Sequence, residues 1–226
     1  MTWLLVLALL QVPPALQRAG LPEPDPDVSI GLALSGGSAK GFAHIGVLRV
    51  LEGAGTPIDA IAGTSMGALV GGLYSIGYTP DMLEEFTVEQ DWETLFTDSY
   101  DRRGWTIESK LAREYMLELP IRGQRPQLPA GLVAGQRISQ LLTGLTWSAH
   151  AVHDFRSFPI PFVALATDLE TGEAVVLDKG LLPRAMRASI SIPSVFAPVR
   201  IGDRVLVDGG LSRNLPAQNV VELGAD

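Results

Sequence analysis

Ile58-Asp59-Ala60-Ile61-Ala62-Gly63-Thr64-Ser65-Met66-Gly67-Ala68-Leu69 is the stretch that decides the fold. Its first part, Ile58 to Ala62, is short and mostly apolar, as a buried parallel strand is. From Ala68 the apolar residues Leu69, Leu73 and Ile76 recur at helical spacing. Between the two stands Gly63-Thr64-Ser65-Met66-Gly67, a GxSxG pattern at a strand-turn-helix junction, the context this motif needs. Glycine is required on both sides of the serine because strand and helix crowd each other there. The turn lifts the Ser65 hydroxyl above the sheet and sets it at the positive end of a helix dipole. A plain tight turn is the other reading of these five residues taken alone, and the flanking strand and helix favour a nucleophile.

Upstream, Val28 to Leu34 reads as a further buried strand that ends on Ser35, Gly36 and Gly37. A helix follows through Ala43, Val47, Leu48 and Leu51, punctuated by Gly53 and Gly55. This βαβα rhythm predicts an α/β fold with a mostly parallel central sheet. Downstream, Thr79 to His153 reads as helical and more polar, with Pro80 in a first helical turn and an amphipathic pattern from Ile138 to Trp147. That insertion is placed where a cap over a site would come from. Strands return at Pro161 to Thr167, Ala174 to Leu177 and Val205 to Val207. The end, Val220 to Asp226, reads as a helix cap leading toward a further strand, as in a piece of a longer protein.

The chain has 226 residues, 46% hydrophobic and 19% charged, enough for one substantial core. One folded domain is expected, over residues 28–226. Formal net charge is −8 and the 17 Lys and Arg residues form no basic run, which excludes a nucleic-acid footprint. There are no cysteines, and the three histidines show no metal-ligand spacing, so neither a metal nor a cofactor is expected. Trp3 to Leu10 is an apolar run too short to span a bilayer and of the length of a signal-peptide core, although no basic segment precedes it. Leu21 to Asp27 alternates proline with acid and reads as an extended linker. Residues 1–27 are therefore expected to be a signal peptide and linker of an exported protein. A cytoplasmic protein with a mis-chosen start, or an uncleaved anchor, is the alternative.

Ser35-Gly36-Gly37-Ser38-Ala39-Lys40-Gly41 is a glycine-rich loop opening a helix, whose backbone N–H groups can hold an anion. A dinucleotide loop would need glycine at Ser38 and an acid closing the second strand, whereas Asp59 stands near that strand's start. A P-loop would need Ser or Thr after Lys40, and Gly41 follows it. Beside a GxSxG motif, an oxyanion hole is the better assignment, worth about 3 to 4 kcal/mol per donor in comparable sites. Two partners for Ser65 compete. A Ser, acid, His order would use Asp91, Asp98 or Asp101 with His150 or His153, yet those histidines lie in what reads as a polar helix end. Asp208 ends an apolar strand and is followed by Gly209 and Gly210, which let backbone or substrate come close. An Asp-Gly-Gly turn without chemistry is the bland reading of that segment.

In these motifs the sequence resembles the patatin-like phospholipases, from about Val28 to the C-terminus. Ser35 to Gly41 is similar to that family's oxyanion loop, Gly63 to Gly67 to its nucleophile elbow, and Asp208-Gly209-Gly210 to its Asp-Gly-Gly motif. Ala188 to Pro198 and Asn214-Leu215-Pro216 resemble the segments that flank the aspartate strand. The resemblance implies a three-layer fold and a Ser65–Asp208 dyad without histidine. It implies oxyanion donors at Gly36, Gly37 and Ser38, supported by Lys40, Gly41, Gly63, Gly67, Gly209 and Gly210. The implied reaction is hydrolysis of phospholipid or other acyl-lipid esters at a membrane surface, through an acyl-serine, with no cofactor. Exported members of the family imply a periplasmic or outer-membrane location. A lipid-binding domain that has lost turnover is the other class of function, with Ser38 in place of the loop's usual third glycine as its support.

Overall fold

The structure is a computed structural model that describes residues 28–97, 121–122, 125–126 and 131–226. The expected signal peptide and linker, and the middle of the expected cap with Asp98 and Asp101, lie outside these residues. The elements in chain order are β1 (Gly31–Leu34), α1 (Ala43–Gly53), β2 (Ala60–Thr64), α2 (Met66–Ser75), α3 (Pro80–Glu89) and α4 (Trp92–Thr97). Then come β3 (Ile121–Arg122), β4 (Arg125–Pro126), β5 (Gly131–Val133), α5 (Gln136–Leu145), β6 (Phe162–Asp168), β7 (Ala174–Leu177) and α6 (Leu182–Ser189). The chain closes with β8 (Ser194–Phe196), β9 (Val199–Ile201), β10 (Arg204–Asp208) and α7 (Ala217–Glu222).

The expected α/β architecture is present, and β2, the strand that leads into Ser65, lies between parallel neighbours. β1 pairs with β2 and β2 with β6, both parallel. β7 and β10 pair with β6 antiparallel, and β9 continues antiparallel beyond β10. Side chains alternate between two cores, as strand pleating requires. Ile61, Phe162, Ala164 and Ala166 join the main core with Leu48, Leu69, Leu73 and Met186 from the helices. Ala62, Val163 and Leu165 face the other way and meet Val220 of α7. Helices thus cover both faces, which makes three layers. All ten residues of α2 are buried, as a helix between sheet and outer helices must be.

Ala164 pairs with Gly63 on one side and Leu177 on the other, while Ala166 pairs with Asp208 and Val175. With β7 occupying one edge of β6, β2 and β10 must share the opposite edge, end to end. β2 runs parallel to β6 and stops at Thr64↔Leu165; β10 runs against it and stops at Asp208↔Ala166. Their C-terminal ends meet head-on. The sequence reading stopped β2 at Ala62, but pairing with β6 carries it two residues further, to the residue before Ser65.

Candidate active site

Ser65 turns the chain from β2 into α2 with φ 53° and ψ −120°, outside the helical and extended basins. Such a conformation costs a non-glycine residue about 1 to 3 kcal/mol and persists when its surroundings fix it. The neighbours are glycines for lack of space. A Cβ on Gly63 would lie 2.5 Å from the Gly67 carbonyl oxygen, and one on Gly67 would lie 2.1 Å from that of Leu34. Backbone cannot step aside as a side chain can, so both positions admit hydrogen alone.

Ser65 is 8% exposed and Asp208 7%. The Ser65 Oγ donates to Asp208 Oδ2 at 2.6 Å, and Gly210 N–H donates to Oδ1 at 2.7 Å. Burial pushes the Asp208 carboxyl above its ordinary range, against these two bonds, which pull it down. Gly209 lies against the Leu165 carbonyl, where a Cβ would stand 2.3 Å from the oxygen, so the turn after the aspartate packs flush on β6.

Both residues are held from α6 and the turn after it, which the sequence reading passed over as a source of site residues. Fully buried Ser189 accepts the Ser65 backbone N–H at 2.8 Å and donates its own hydroxyl to Leu165 O at 2.6 Å. The Ser191 carbonyl accepts the Asp208 N–H at 2.9 Å. Arg187, 5% exposed, binds Ser191 Oγ at 2.5 Å and the carbonyls of Ala134 and Ala197, and lies 4.7 Å over the Phe196 ring. The two serines stand in the Ala188 to Pro198 segment; their spacing, two apart around a buried Ile190, was the available signal.

The glycine-rich loop comes to the same place. A Cβ on Gly36 would sit 2.9 Å from Ser65 Cβ and 2.8 Å from Asn214 Oδ1, so Gly36 is wedged between nucleophile and Asn214. The Gly36 N–H leans on the Asn214 carbonyl at 3.4 Å, a long bond. Among the described residues no acceptor takes the N–H of Gly37 or Ser38, nor those of Met66 and Gly67 at the start of α2. Four donors are thus open around Ser65, of which the residue following the nucleophile was not anticipated. Ser38 has φ 48°, a left-handed conformation natural to glycine. Lys40 is exposed on the turn behind the loop, and Gly41 is buried where a Cβ would press on Met66. His44 donates from Nε2 to the Ser35 carbonyl at 2.9 Å, since a carbonyl can accept only, and so braces the start of the loop.

The histidines considered for a triad are engaged elsewhere. The His150 ring stacks on Trp147 at 5.2 Å, and His153 Nδ1 meets Gly180 O at 3.3 Å. Two cavities converge on Ser65 and Ser38. One, about 410 Å³, is apolar and lined by Phe42, Met66, Leu69, Trp92, Ile138 and Ile192 among others. The second, about 270 Å³, is more polar and open, and holds Asp208, Gly36, Gly37, Pro193 and Asn214. Among the described residues there is no cluster of His, Asp or Glu that could hold a metal.

A strained serine at a strand-helix turn, a buried carboxylate on its hydroxyl and open N–H donors thus meet at one point, where the two cavities converge. The family model described as patatin-like phospholipase matches residues 32–221, and the chain belongs to that family. An uncharacterised NTE family protein of Mycobacterium bovis is 34% identical over 214 residues, covering 95% of this chain and 50% of that protein. The chain thus spans about half the length of that relative. A protein of Cryptococcus neoformans named lysophospholipase NTE1 is 31% identical over 195 residues, 86% of this chain and 10% of that one. Among solved structures, VipD from Legionella pneumophila shares the fold with a TM-score of 0.51 at 14% identity, over 84% of this chain and 47% of that chain.

Proposed function

We propose that this chain hydrolyses carboxylic esters of phospholipids or other acyl lipids, with Ser65 as nucleophile and Asp208 as its base. The observation that carries the reading is the 2.6 Å bond from Ser65 Oγ to a buried carboxylate, at the point where an apolar and a polar cavity meet. The apolar cavity suits an acyl chain and the open cleft suits the alcohol side of the ester.

In the first half-reaction the Ser65 Oγ attacks the ester carbonyl carbon and its proton passes to Asp208 Oδ2. The carbonyl oxygen becomes an oxyanion facing the Gly37 and Ser38 N–H groups, with Gly36 able to join them when its long bond to Asn214 yields. Collapse breaks the bond to the alcohol oxygen, which leaves with the proton from Asp208. Water then attacks the acyl-serine, gives its proton to Asp208, and releases the fatty acid as Ser65 takes that proton back. An aspartate is a weak base at its ordinary pKa, and the upward push of burial brings it closer to the working range. Most of the barrier lowering falls to the fixed N–H donors in a site shielded from water. No step needs a metal, a cofactor or a histidine.

The experiment is a comparison of variants on a soluble chromogenic ester and on phospholipid, with products identified by mass spectrometry. Ser65→Ala and Asp208→Asn each lose nearly all turnover, a fluorophosphonate labels Ser65, and the double change His150→Ala with His153→Ala stays within a few-fold of the parent. Loss of activity in the histidine variant with survival in folded Asp208→Asn refutes the dyad. A folded parent that cuts neither ester supports the lipid-binding alternative.

A further inference from the structure

The main chain at Asn214 is fixed on both sides. The Arg213 carbonyl accepts from Thr64 Oγ1 at 3.0 Å, the Asn214 carbonyl takes the long bond from Gly36 N–H, and buried Pro216 follows. The side chain has no such task. Among the described residues its amide makes no hydrogen bond, although Asn214 lines the polar cleft with Ser65 and Asp208. A Cβ on Gly36 would stand 2.8 Å from Asn214 Oδ1 and 2.9 Å from Ser65 Cβ. One on Gly210 would stand 3.2 Å from the same Oδ1 and 3.0 Å from Asp208 Oδ1. The amide oxygen therefore sits in the seam between the glycine-rich loop and the Asp208 turn. Its separation from the Asp208 oxygen is at most those last two distances laid end to end, about the span of two O–H···O bonds through one water. Other hydroxyls around the dyad are engaged: Thr64 donates to Arg213 O, Ser189 to Leu165 O and Ser191 to Arg187 O. Of the remaining polar side chains in the cleft, Ser65 and Asp208 hold each other, and Ser38 faces the apolar cavity as well.

We infer that Asn214 Oδ1 orients the water that resolves acyl-Ser65, and so favours hydrolysis over transfer of the acyl group to an alcohol. The inference rests on the acyl-ester reading. A water that attacks has two hydrogens to place. Its oxygen bonds to the acyl carbon, one hydrogen passes to Asp208, and the other stays on the new hydroxyl, held by Asn214 Oδ1, which as an amide oxygen can accept. Collapse breaks the bond to Ser65 Oγ, which takes the proton from Asp208, and the fatty acid leaves. With both hydrogens held, the water points a lone pair at the carbon. An alcohol in the same place carries carbon where water carries its second hydrogen. It has nothing to offer Asn214 once its proton goes to Asp208, so the amide aids water alone. Acylation, in which an alcohol oxygen departs, makes no use of it either.

The test follows a p-nitrophenyl ester in water containing a fixed share of methanol, with free acid and methyl ester separated by mass spectrometry. In Asn214→Ala the ratio of methyl ester to acid rises about tenfold, as the loss of one hydrogen bond to the attacking water should give. Asn214→Leu, which keeps the volume of the side chain and loses the oxygen, shifts the ratio likewise. In both variants kcat/KM for nitrophenol release and the rate of fluorophosphonate labelling stay near the parent's, while kcat in the absence of methanol falls as resolution of the acyl-serine becomes limiting. A displaced loop would slow acylation, methanolysis and hydrolysis together, so a loss of labelling in step with turnover overturns the inference. An unchanged product ratio in variants of a parent that turns over also overturns it and leaves the hydrolase reading standing. A folded parent that releases no nitrophenol and takes no fluorophosphonate sinks that reading and this inference with it.

Discussion

Replacing Ser189 by alanine separates the scaffold of the nucleophile from the nucleophile itself. The side chain is fully buried and lines neither of the two cavities at Ser65, yet its hydroxyl is the acceptor for the Ser65 N–H at 2.8 Å and a donor to Leu165 O at 2.6 Å. Alanine leaves the Ser65 N–H buried without a partner, which costs about 1 to 3 kcal/mol. For a chain of this size each kcal/mol lowers Tm by about 2 to 4 °C, so a fall of roughly 2 to 12 °C is expected. The catalytic effect has a separate cause. Ser65 is held at φ 53° and ψ −120°, a conformation worth about 1 to 3 kcal/mol in strain, and Ser189 is one of the contacts that hold it. Relaxation swings Oγ away from Asp208, and a displacement near 1 Å is enough for about 10²-fold in rate. Kinetics on a soluble ester should therefore show kcat down by about 10 to 10²-fold with KM little changed, since the apolar cavity is intact. Ser189→Thr, which keeps a hydroxyl, should recover part of the rate. A Ser189→Ala enzyme with the parent kcat and the parent Tm refutes the idea that this bond holds the elbow.

Asp208→Asn should abolish turnover and raise Tm at neutral pH. Burial raises the folded pKa of Asp208, so the folded state holds the proton more tightly than the unfolded one; that stabilisation is complete below the unfolded pKa and is lost as pH rises through the folded pKa. The neutral amide removes the loss, so the Tm advantage of the variant over the parent should grow from acid to neutral pH. The same upward shift places the acid limb of the parent's kcat/KM profile above the usual carboxylate range, and a limb at or below that range contradicts the assignment of Asp208 as base. Ser38→Gly relieves a left-handed serine and should raise stability by about 1 kcal/mol, net of the entropy that glycine gives the unfolded chain, as read by denaturant midpoint. Export, proposed from the apolar run Trp3 to Leu10, is checked by N-terminal sequencing of protein recovered from cells; a start between Ala15 and Asp25 fits it and an intact Met1 on soluble protein refutes it.

The parts of the site made of local chemistry were legible. Gly63 to Gly67 announces a crowded strand-helix turn because nothing larger than hydrogen fits beside the Leu34 and Gly67 carbonyls, and Asp208-Gly209-Gly210 announces a strand end lying flush on its neighbour. Periodicity found α1 over Ala43–Gly53, the strand Ala174–Leu177 and the amphipathic α5, and Pro80 marked the first turn of α3, capped by Thr79. What depends on distant pairing was not legible. The antiparallel direction of β10 cannot be read from Val205-Leu206-Val207, because an apolar triplet looks the same in either direction. Helix α6 was missed because its run Leu182 to Ser189 carries Pro183, two arginines and a serine. Its helicity is imposed by packing of Leu182, Ala185 and Met186 into the core, and its serines acquire meaning only when β6 and α2 are beside them.

The head-on meeting of β2 and β10 also has a consequence for synthesis. Serine and aspartate are separated by 143 positions in the chain, and their contact exists only through a shared strand, β6, on whose edge the two strand ends abut. A chain emerging from the ribosome carries its elbow and its loop long before it carries the acid, and Ser189 and Ser191 come late as well. Ser65 is thus placed early and paired last, by the strand that closes the sheet. On the lipid-hydrolase reading proposed above, a chain built in this order acquires its base, and with it the capacity to attack the lipids of the cell that makes it, only when almost the whole of residues 28–226 has been translated and folded.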